Sequence, residues 1–388
     1  MFGAGNVGRG FIGQLFSESG YTVTFVDIDE ELIAALASQH SYKIQLVDNE
    51  HRDVVTVAPV NALHSIRQSE QVVQVLARAS LAATAVGVRV LPALASLVAE
   101  CIRRRMADGQ QECLNLIICE NMKDAAASFR SAVESQLNPV ERAYAKTYIG
   151  FVDTVIGRMV PPPTPEARAK DVTAILVEPY KELPVDRNGF AGEIPAVVAM
   201  QAAANFPVYT ARKLYIHNCG HAVLAYLGYL RGYEYGFEAL EDGIVRPILE
   251  AALSEAQQGI VAHYGVPYEW LQEHTHDLLR RFSNRALGDT VFRLGRDPMR
   301  KLAPSDRLVG AARLAESAGR VPEALAMGIA AGYCFDAPAD PMAMELQNRI
   351  ATDGFDAVLA EISGILPGEA LAELVSQQYR ILREKRGD

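Results

Sequence analysis

Three glycines at the head of the chain, in Gly3-Ala4-Gly5-Asn6-Val7-Gly8, restrict its fold more than any other feature. Glycine at these three places lets a strand turn sharply into a helix, lets backbone approach a pyrophosphate, and lets the helix lie close on a sheet. A helical stretch from Arg9 to Ser19 follows, then Gly20, then the β-branched and aromatic run Tyr21 to Asp27 (YTVTFVD). Two more apolar runs, Leu81 to Val86 (LAATAV) before Gly87 and Leu114 to Cys119 (LNLIIC), alternate with helical patterns at Glu30 to Ala37 and Leu91 to Arg105. Strands alternating with helices predict βαβ units, hence an α/β fold with a doubly wound, mostly parallel sheet. Only Met1 and Phe2 precede Gly3. The central strand is therefore expected as a stub, either natural or left by a start downstream of the true one.

Asp27 ends the strand that follows the glycine turn, close to the roughly 20-residue offset at which an acid grips a ribose 2′-hydroxyl. A carboxylate there repels a 2′-phosphate, so the expected cofactor is NAD and not NADP. The competing reading is that Asp27 only caps the next helix. The pyrophosphate would rest on the helix N-terminus, where unpaired N–H groups favour anions.

Met159 to Pro165 (MVPPPTP) is the strongest breaker in the chain, and Val172 to Val185 reads as extended. From about Ala196 the pattern turns largely helical. These shifts predict two domains: a Rossmann domain over 1–180 that binds NAD, and a mainly α-helical substrate and catalytic domain over 181–388. The charged tail, Tyr379 to Asp388, reads as a helix end. A net charge of −10 argues against nonspecific binding to nucleic acid or an anionic membrane, though a local basic pocket remains open to an anionic substrate. Cys101, Cys113, Cys119, Cys219 and Cys334 form no CxxC pair, so they read as thiols in a reducing cytoplasm. No signal peptide or membrane span is expected, and the expected location is cytoplasmic.

The densest polar cluster is Lys213-Leu214-Tyr215-Ile216-His217-Asn218-Cys219-Gly220-His221. On an α-helical wheel Lys213, Asn218 and His221 share a wedge of about 140° that could line one pocket. His217 lies in the same wedge, so geometry alone does not separate it from His221. A lysine in a low-dielectric pocket can act as a base, an asparagine amide can stabilise a developing alkoxide, and a histidine can fix it. Spacing alone equally fits an amphipathic helix with a solvated polar edge.

With Arg212 before it and Ala222 to Gly228 (AVLAYLG) after it, this cluster resembles the signature of the polyol-specific long-chain dehydrogenases. That family oxidises sugar alcohols and their phosphates without a metal, and its catalytic helix carries Lys-x4-Asn-x2-His. The resemblance implies Lys213 as general base with Asn218 and His221 at the reacting oxygen; His217 is not carried over. Further stretches resemble the phosphate-substrate branch: Phe2 to Gly13 (FGAGNVGRGFIG), Thr84 to Gly87 (TAVG), Cys119 to Met122 (CENM), Gly150 to Asp153 (GFVD), Arg158 to Pro162 (RMVPP) and Arg300 to Leu308 (RKLAPSDRL). Asp153 stands where hexitol-oxidising relatives carry an asparagine that binds the reacting oxygen. It is expected either to hold a substrate hydroxyl or to pair with Lys213. The implied cofactor contacts are Gly3, Ala4, Gly5, Asn6, Val7, Gly8, Asp27, Ala85, Val86, Gly87 and Asn121.

For the phosphate, Arg293, Arg296, Arg300 and Lys301 form a basic concentration on an acidic chain, with Lys181 and Arg187 outside it. Arg293, Arg300 and Lys301 are the expected anchors; a solvated basic face is the alternative for each. The competing functions are a hexuronate reductase of the same family and a nucleotide-binding regulator without turnover. His263, His274 and His276 carry no cysteine neighbour, and no metal is expected. The expected partner is a small phosphorylated sugar alcohol or ketose, bound by a monomer or homodimer.

Overall fold

Phe2 bridges Val26 on one side and Thr84 on the other, both in parallel, so the stub at the N-terminus does occupy the centre of a sheet. The Phe2 N–H donates to Ala83 O and the Phe2 carbonyl accepts from Ala85 N, each at 2.8 Å. On the opposite edge Gly3 N–H donates to Val26 O and Val26 N–H to Met1 O, also at 2.8 Å. The computed structural model describes residues 1–386; Gly387 and Asp388 of the charged tail lie outside the described residues.

The longer strands are β1 (Val23–Asp27), β2 (Tyr42–Val47), β3 (Arg52–Val57), β4 (Val60–His64), β5 (Leu81–Thr84), β6 (Leu114–Ile118), β7 (Ile149–Asp153), β8 (Ile175–Val177), β9 (Leu183–Asp186) and β10 (Met200–Ala203). Through the stub, β4 and β1 join β5, β6 and β7 in the order β4-β1-stub-β5-β6-β7, with every pairing parallel. Counted along the chain with β2 and β3 set aside, this is 3-2-1-4-5-6, the order of doubly wound dinucleotide folds. Parallel strands covered on both faces read as continuous apolar runs. In β6, Ile117 packs with Phe11, Leu15, Leu32 and Leu36 on one face, while Leu116 and Ile118 pack with Val98, Ile102 and Phe129 on the other.

The antiparallel pair β2–β3, with β8 added in parallel, forms a side sheet that the sequence reading did not anticipate. The proline stretch after β7 is tied down by Arg158. Its buried guanidinium donates to Gly10 O, Gln14 Oε1 and Glu178 O at 3.0, 2.6 and 2.8 Å, locking this loop to the first helix.

Two compact units meet at Tyr209 and Thr210, which corrects the expected boundary near 180. The reason is that the chain beyond 180 is still adding strands to the first unit. There β9 pairs with β10, and Val185 bridges Thr154 just past β7. Among the described residues the second unit is built from helices, with one isolated bridge between Tyr235 and Thr290. Its central helix, Cys219–Leu230, is buried from Ala222 through Gly228 and packs against Val245–Tyr264 and Glu323–Tyr333. Glycine makes this close packing possible: a Cβ on Gly228 would stand 2.7 Å from that of Ala239. Among the described residues no helix is long and apolar enough to cross a membrane.

Candidate functional site

The nucleotide side is built at the C-terminal edge of the parallel sheet. Gly3 has φ +89°, and a Cβ there would meet Ala85 O at 2.3 Å; one on Gly8 would meet Gly3 O at 2.0 Å. Gly5 is exposed, and a Cβ on it would have no neighbour within 4 Å. The turn is therefore tight on its protein side and open where it faces outward, the shape a pyrophosphate needs; a side chain at Gly5 would fill that cradle. Asn6 and Val7 are half-buried at the start of the helix. Asp27 accepts from Ala4 N–H at 2.6 Å through Oδ2 and from Ile28 N–H at 2.7 Å through Oδ1, stapling β1 to the turn. The cap of the next helix, Glu30–Gln39, is Asp29 and not Asp27, since Asp29 accepts from Leu32 N–H at 3.1 Å.

Ala85, Val86 and Gly87 continue β5 into a loop held by Glu120 from the end of β6. The buried Glu120 carboxylate accepts from Val86 N–H and Gly87 N–H, each at 2.9 Å. Asn121, next along, is exposed. Asp153 ends β7 and is half-buried; its Oδ1 accepts from Ala126 N–H at 2.8 Å, at the start of the helix Ala125–Glu134. Burial pushes its carboxyl above the usual range, opposed by that hydrogen bond and reinforced by Asp124 and Asp186. This group of residues fits a dinucleotide: an open glycine turn, a carboxylate at the end of β1 and a fixed loop beyond β5.

In the second unit, the segment Arg212–Asn218 is a π-helix, with Cys219 N–H reaching back to Leu214 O. This corrects the wheel drawn for an α-helix. In a π turn the hydrogen bonds run i→i+5, so residues five apart lie nearer the same face than they do on an α-helix. Lys213 and Asn218, separated on an α-helix by about 140°, are therefore brought closer to one face. His221, three residues on in the regular helix, keeps to the Asn218 face. All three are half-buried.

His221 stacks on Phe282, with ring centroids 4.1 Å apart and planes at 23°. Gly220 permits this approach, because a Cβ there would meet the Phe282 ring at 3.1 Å. His217 is buried behind it, edge-on to His221 at 4.9 Å, and its Nδ1 has no hydrogen-bond partner. Burial holds both imidazoles well below the ordinary histidine pKa, and the Lys213 ammonium adds to the shift in each. His274 is shifted the same way by burial and then by Arg212 and Arg281. The three are neutral rings in a cationic neighbourhood.

The basic concentration behaves unevenly. Lys301 is buried, and its ammonium donates to Leu294 O and Arg296 O. Burial lowers it to about 7, with Arg307 and Arg300 adding to the shift. It is a backbone clamp, which corrects its expected place as a phosphate anchor. Arg293 is paired with Asp289, and Arg300 with Asp297 at 2.7 Å, but both side chains keep about half their surface exposed. Arg307, absent from the expected anchors, is buried against Asp306 at 2.7 Å and contributes to the shift of His221. Lys181 pairs with Glu18 at 2.8 Å. Two hollows within this unit, about 450 and 850 Å³, are lined around Tyr268 and His276 and around Phe355 and Tyr379; neither includes Lys213, Asn218 or His221. Among the described residues no group of three or more His, Cys, Asp or Glu is placed to hold a metal.

The comparisons with known proteins agree on both units. Residues 1–198 match the mannitol dehydrogenase Rossmann domain, and residues 205–383 match the mannitol dehydrogenase C-terminal domain. The chain is 37% identical over 374 residues to a mannitol-1-phosphate 5-dehydrogenase of Bacillus licheniformis, covering 96% of this chain and 97% of that one. The namesake protein of Bacillus subtilis is 36% identical over the same shares. In fold, the chain is similar to Pseudomonas fluorescens mannitol 2-dehydrogenase in its ternary complex with NAD and D-mannitol, with TM-score 0.74, 18% identity, and coverage of 99% of this chain and 91% of that one. It is similar also to a substrate-free D-sorbitol dehydrogenase, with TM-score 0.83, 17% identity, and coverage of 99% and 92%.

Proposed function

The chain belongs to the mannitol dehydrogenase family, and on that premise we propose that it interconverts D-mannitol 1-phosphate and D-fructose 6-phosphate with NAD as the redox partner. It is an NAD-dependent oxidoreductase. The observation that carries the chemistry is the π turn, which brings an amine and an amide toward one face of a helix whose neighbouring imidazoles are neutral. The full-length likeness to mannitol-1-phosphate 5-dehydrogenases supports the substrate.

Gly3, Ala4, Gly5, Asn6, Val7 and Gly8 hold the pyrophosphate, Asp27 the ribose, and Ala85, Val86, Gly87 and Asn121 the part beyond. When bound, the nicotinamide supplies the hydride acceptor for oxidation and the hydride donor for reduction. In oxidation the neutral amine of Lys213 takes the hydroxyl proton of the sugar alcohol. The Asn218 amide donates to the oxygen as it becomes an alkoxide and then a ketone, which lowers the barrier by stabilising charge where it develops. His221, kept neutral and wedged against Phe282, holds that oxygen in place without adding a second cation. In reduction the Lys213 ammonium returns the proton. Asp153 sets the position of a substrate hydroxyl, and Arg293 and Arg300 are the exposed cations best suited to the phosphate.

The test follows NADH absorbance with fructose 6-phosphate, fructose and fructuronate in parallel. Turnover confined to fructose 6-phosphate is the expected result. Turnover confined to fructuronate would retain the mechanism and overturn the substrate.

A further inference from the structure

At the ribose end of the nucleotide site an arginine is already present, and a carboxylate holds it. Arg168, in the short helix Pro165–Lys170, donates through Nη2 to Asp29 Oδ2 at 2.6 Å. Asp29 lies two residues past Asp27, the acid at the tip of β1. The charge of the buried Arg9 is influenced by both Arg168 and Asp27, so these groups share one locality. Glu31 also faces Arg168. Both partners of the Arg168–Asp29 pair are partly exposed, at 44% and 32%. Such a pair is weak and can be re-partnered.

We propose that Asp29 and Arg168 form a cofactor gate, in which Asp29 occupies the guanidinium that would otherwise bind a 2′-phosphate. The inference rests on the reading that Asp27 receives the adenosine ribose of NAD. Selectivity for NAD over NADP then depends on two carboxylates. Asp27 repels the 2′-phosphate at the ribose itself, and Asp29 neutralises Arg168, a nearby exposed cation whose forked geometry suits phosphate oxygens. Removing Asp27 alone leaves that cation engaged. Removing both frees it.

The experiment measures NADH and NADPH dissociation constants by fluorescence titration, without any sugar present. The variants are Asp27→Ser, Asp29→Asn, the double variant, and each of these with Arg168→Met. Asparagine caps a helix as well as aspartate does, so Asp29→Asn keeps the cap of Glu30–Gln39. In the Asp27→Ser background, Asp29→Asn should tighten NADPH by about tenfold, the size of one charge-assisted hydrogen bond. Adding Arg168→Met should abolish that gain. Asp29→Asn and Arg168→Met alone should bind NADH as the parent does. A gain that persists without Arg168, or no gain while NADH binding is intact, would overturn the gate. Failure of the unmodified protein to bind NADH is a different result: it would overturn the cofactor reading, and the gate with it.

Discussion

Lys213 is the residue on which the proposed chemistry turns, and its substitution separates catalysis from binding. Lys213→Ala removes the proton acceptor while leaving the glycine turn untouched. The expected effect is a loss of about 10²- to 10⁴-fold in kcat, the usual worth of a positioned acid–base group. Stopped-flow or steady-state rates with fructose 6-phosphate, read beside an unchanged NADH dissociation constant, check it. Retained turnover in Lys213→Ala would remove this residue from the mechanism. In the parent protein the rate of alcohol oxidation should rise with pH as the amine deprotonates, and a flat profile would contradict that role. The sequence held more of this site than its composition suggested. The Lys-x4-Asn-x2-His spacing was legible, but the π turn that carries it was not, because it is defined by backbone hydrogen bonds and not by side-chain spacing. Apolar periodicity reports only the average turn, so an α-helical wheel misses one local extra residue. His217, which the family pattern does not carry over, is buried edge-on to both His221 and Phe282, and Phe282 lies far along the chain, so spacing does not reveal that packing.

At the scale of elements, the glycine turn gives opposed expectations for two glycines of one motif. Gly8→Ala drives a methyl to within 2.0 Å of Gly3 O, a backbone atom that cannot swing away. That variant should lose about 2–3 kcal/mol of stability, in the upper range for single substitutions, visible as a lower thermal midpoint. Gly5→Ala meets nothing in the protein, so its thermal midpoint should match the parent, yet the methyl enters the space left for the pyrophosphate. Its NADH affinity should fall about tenfold, corresponding to about 1.4 kcal/mol. Normal NADH binding by Gly5→Ala would mean that the phosphates lie elsewhere. The parallel strands at the heart of this element set were legible because buried strands leave apolar runs such as LNLIIC. The stub was legible as an oddity; what the sequence could not show is that its few hydrogen bonds join β1 to β5 and complete the sheet order. The β2–β3 pair escaped notice although Tyr42 and Ile44 alternate with the exposed Lys43 and Gln45. Its alternation is short, and β3 buries only Val57 fully, with Val55 half-buried and Val54 exposed. The cation cluster misled in the opposite direction. A local density of arginine and lysine says nothing about Asp289, Asp297 and Asp306, or about the carbonyls that claim Lys301.

For the molecule as a whole, the buried histidines of the second unit tie folding to pH. His217, His221 and His274 each have a folded pKa held well below 6.5, primarily by burial and further by the cations Lys213, Arg281, Arg293, Arg307 and Arg212. The unfolded chain binds protons at these positions near pH 6.5, while the folded chain does not. Stability rises with pH wherever the unfolded state binds more protons. The contribution of these residues is therefore complete above pH 6.5 and is lost progressively as pH falls below it. Thermal midpoints should hold between pH 8 and pH 7 as far as these rings are concerned, and decline steadily from about pH 6.5 toward pH 5. His217→Gln discriminates this cause from a general acid effect on carboxylates. Glutamine does not titrate, so the variant should start from a lower midpoint at pH 8 through lost packing, then fall less steeply than the parent below pH 6.5. Parallel decline of the two proteins would assign the acid sensitivity to other groups, and the neutral state of His217 would no longer explain it.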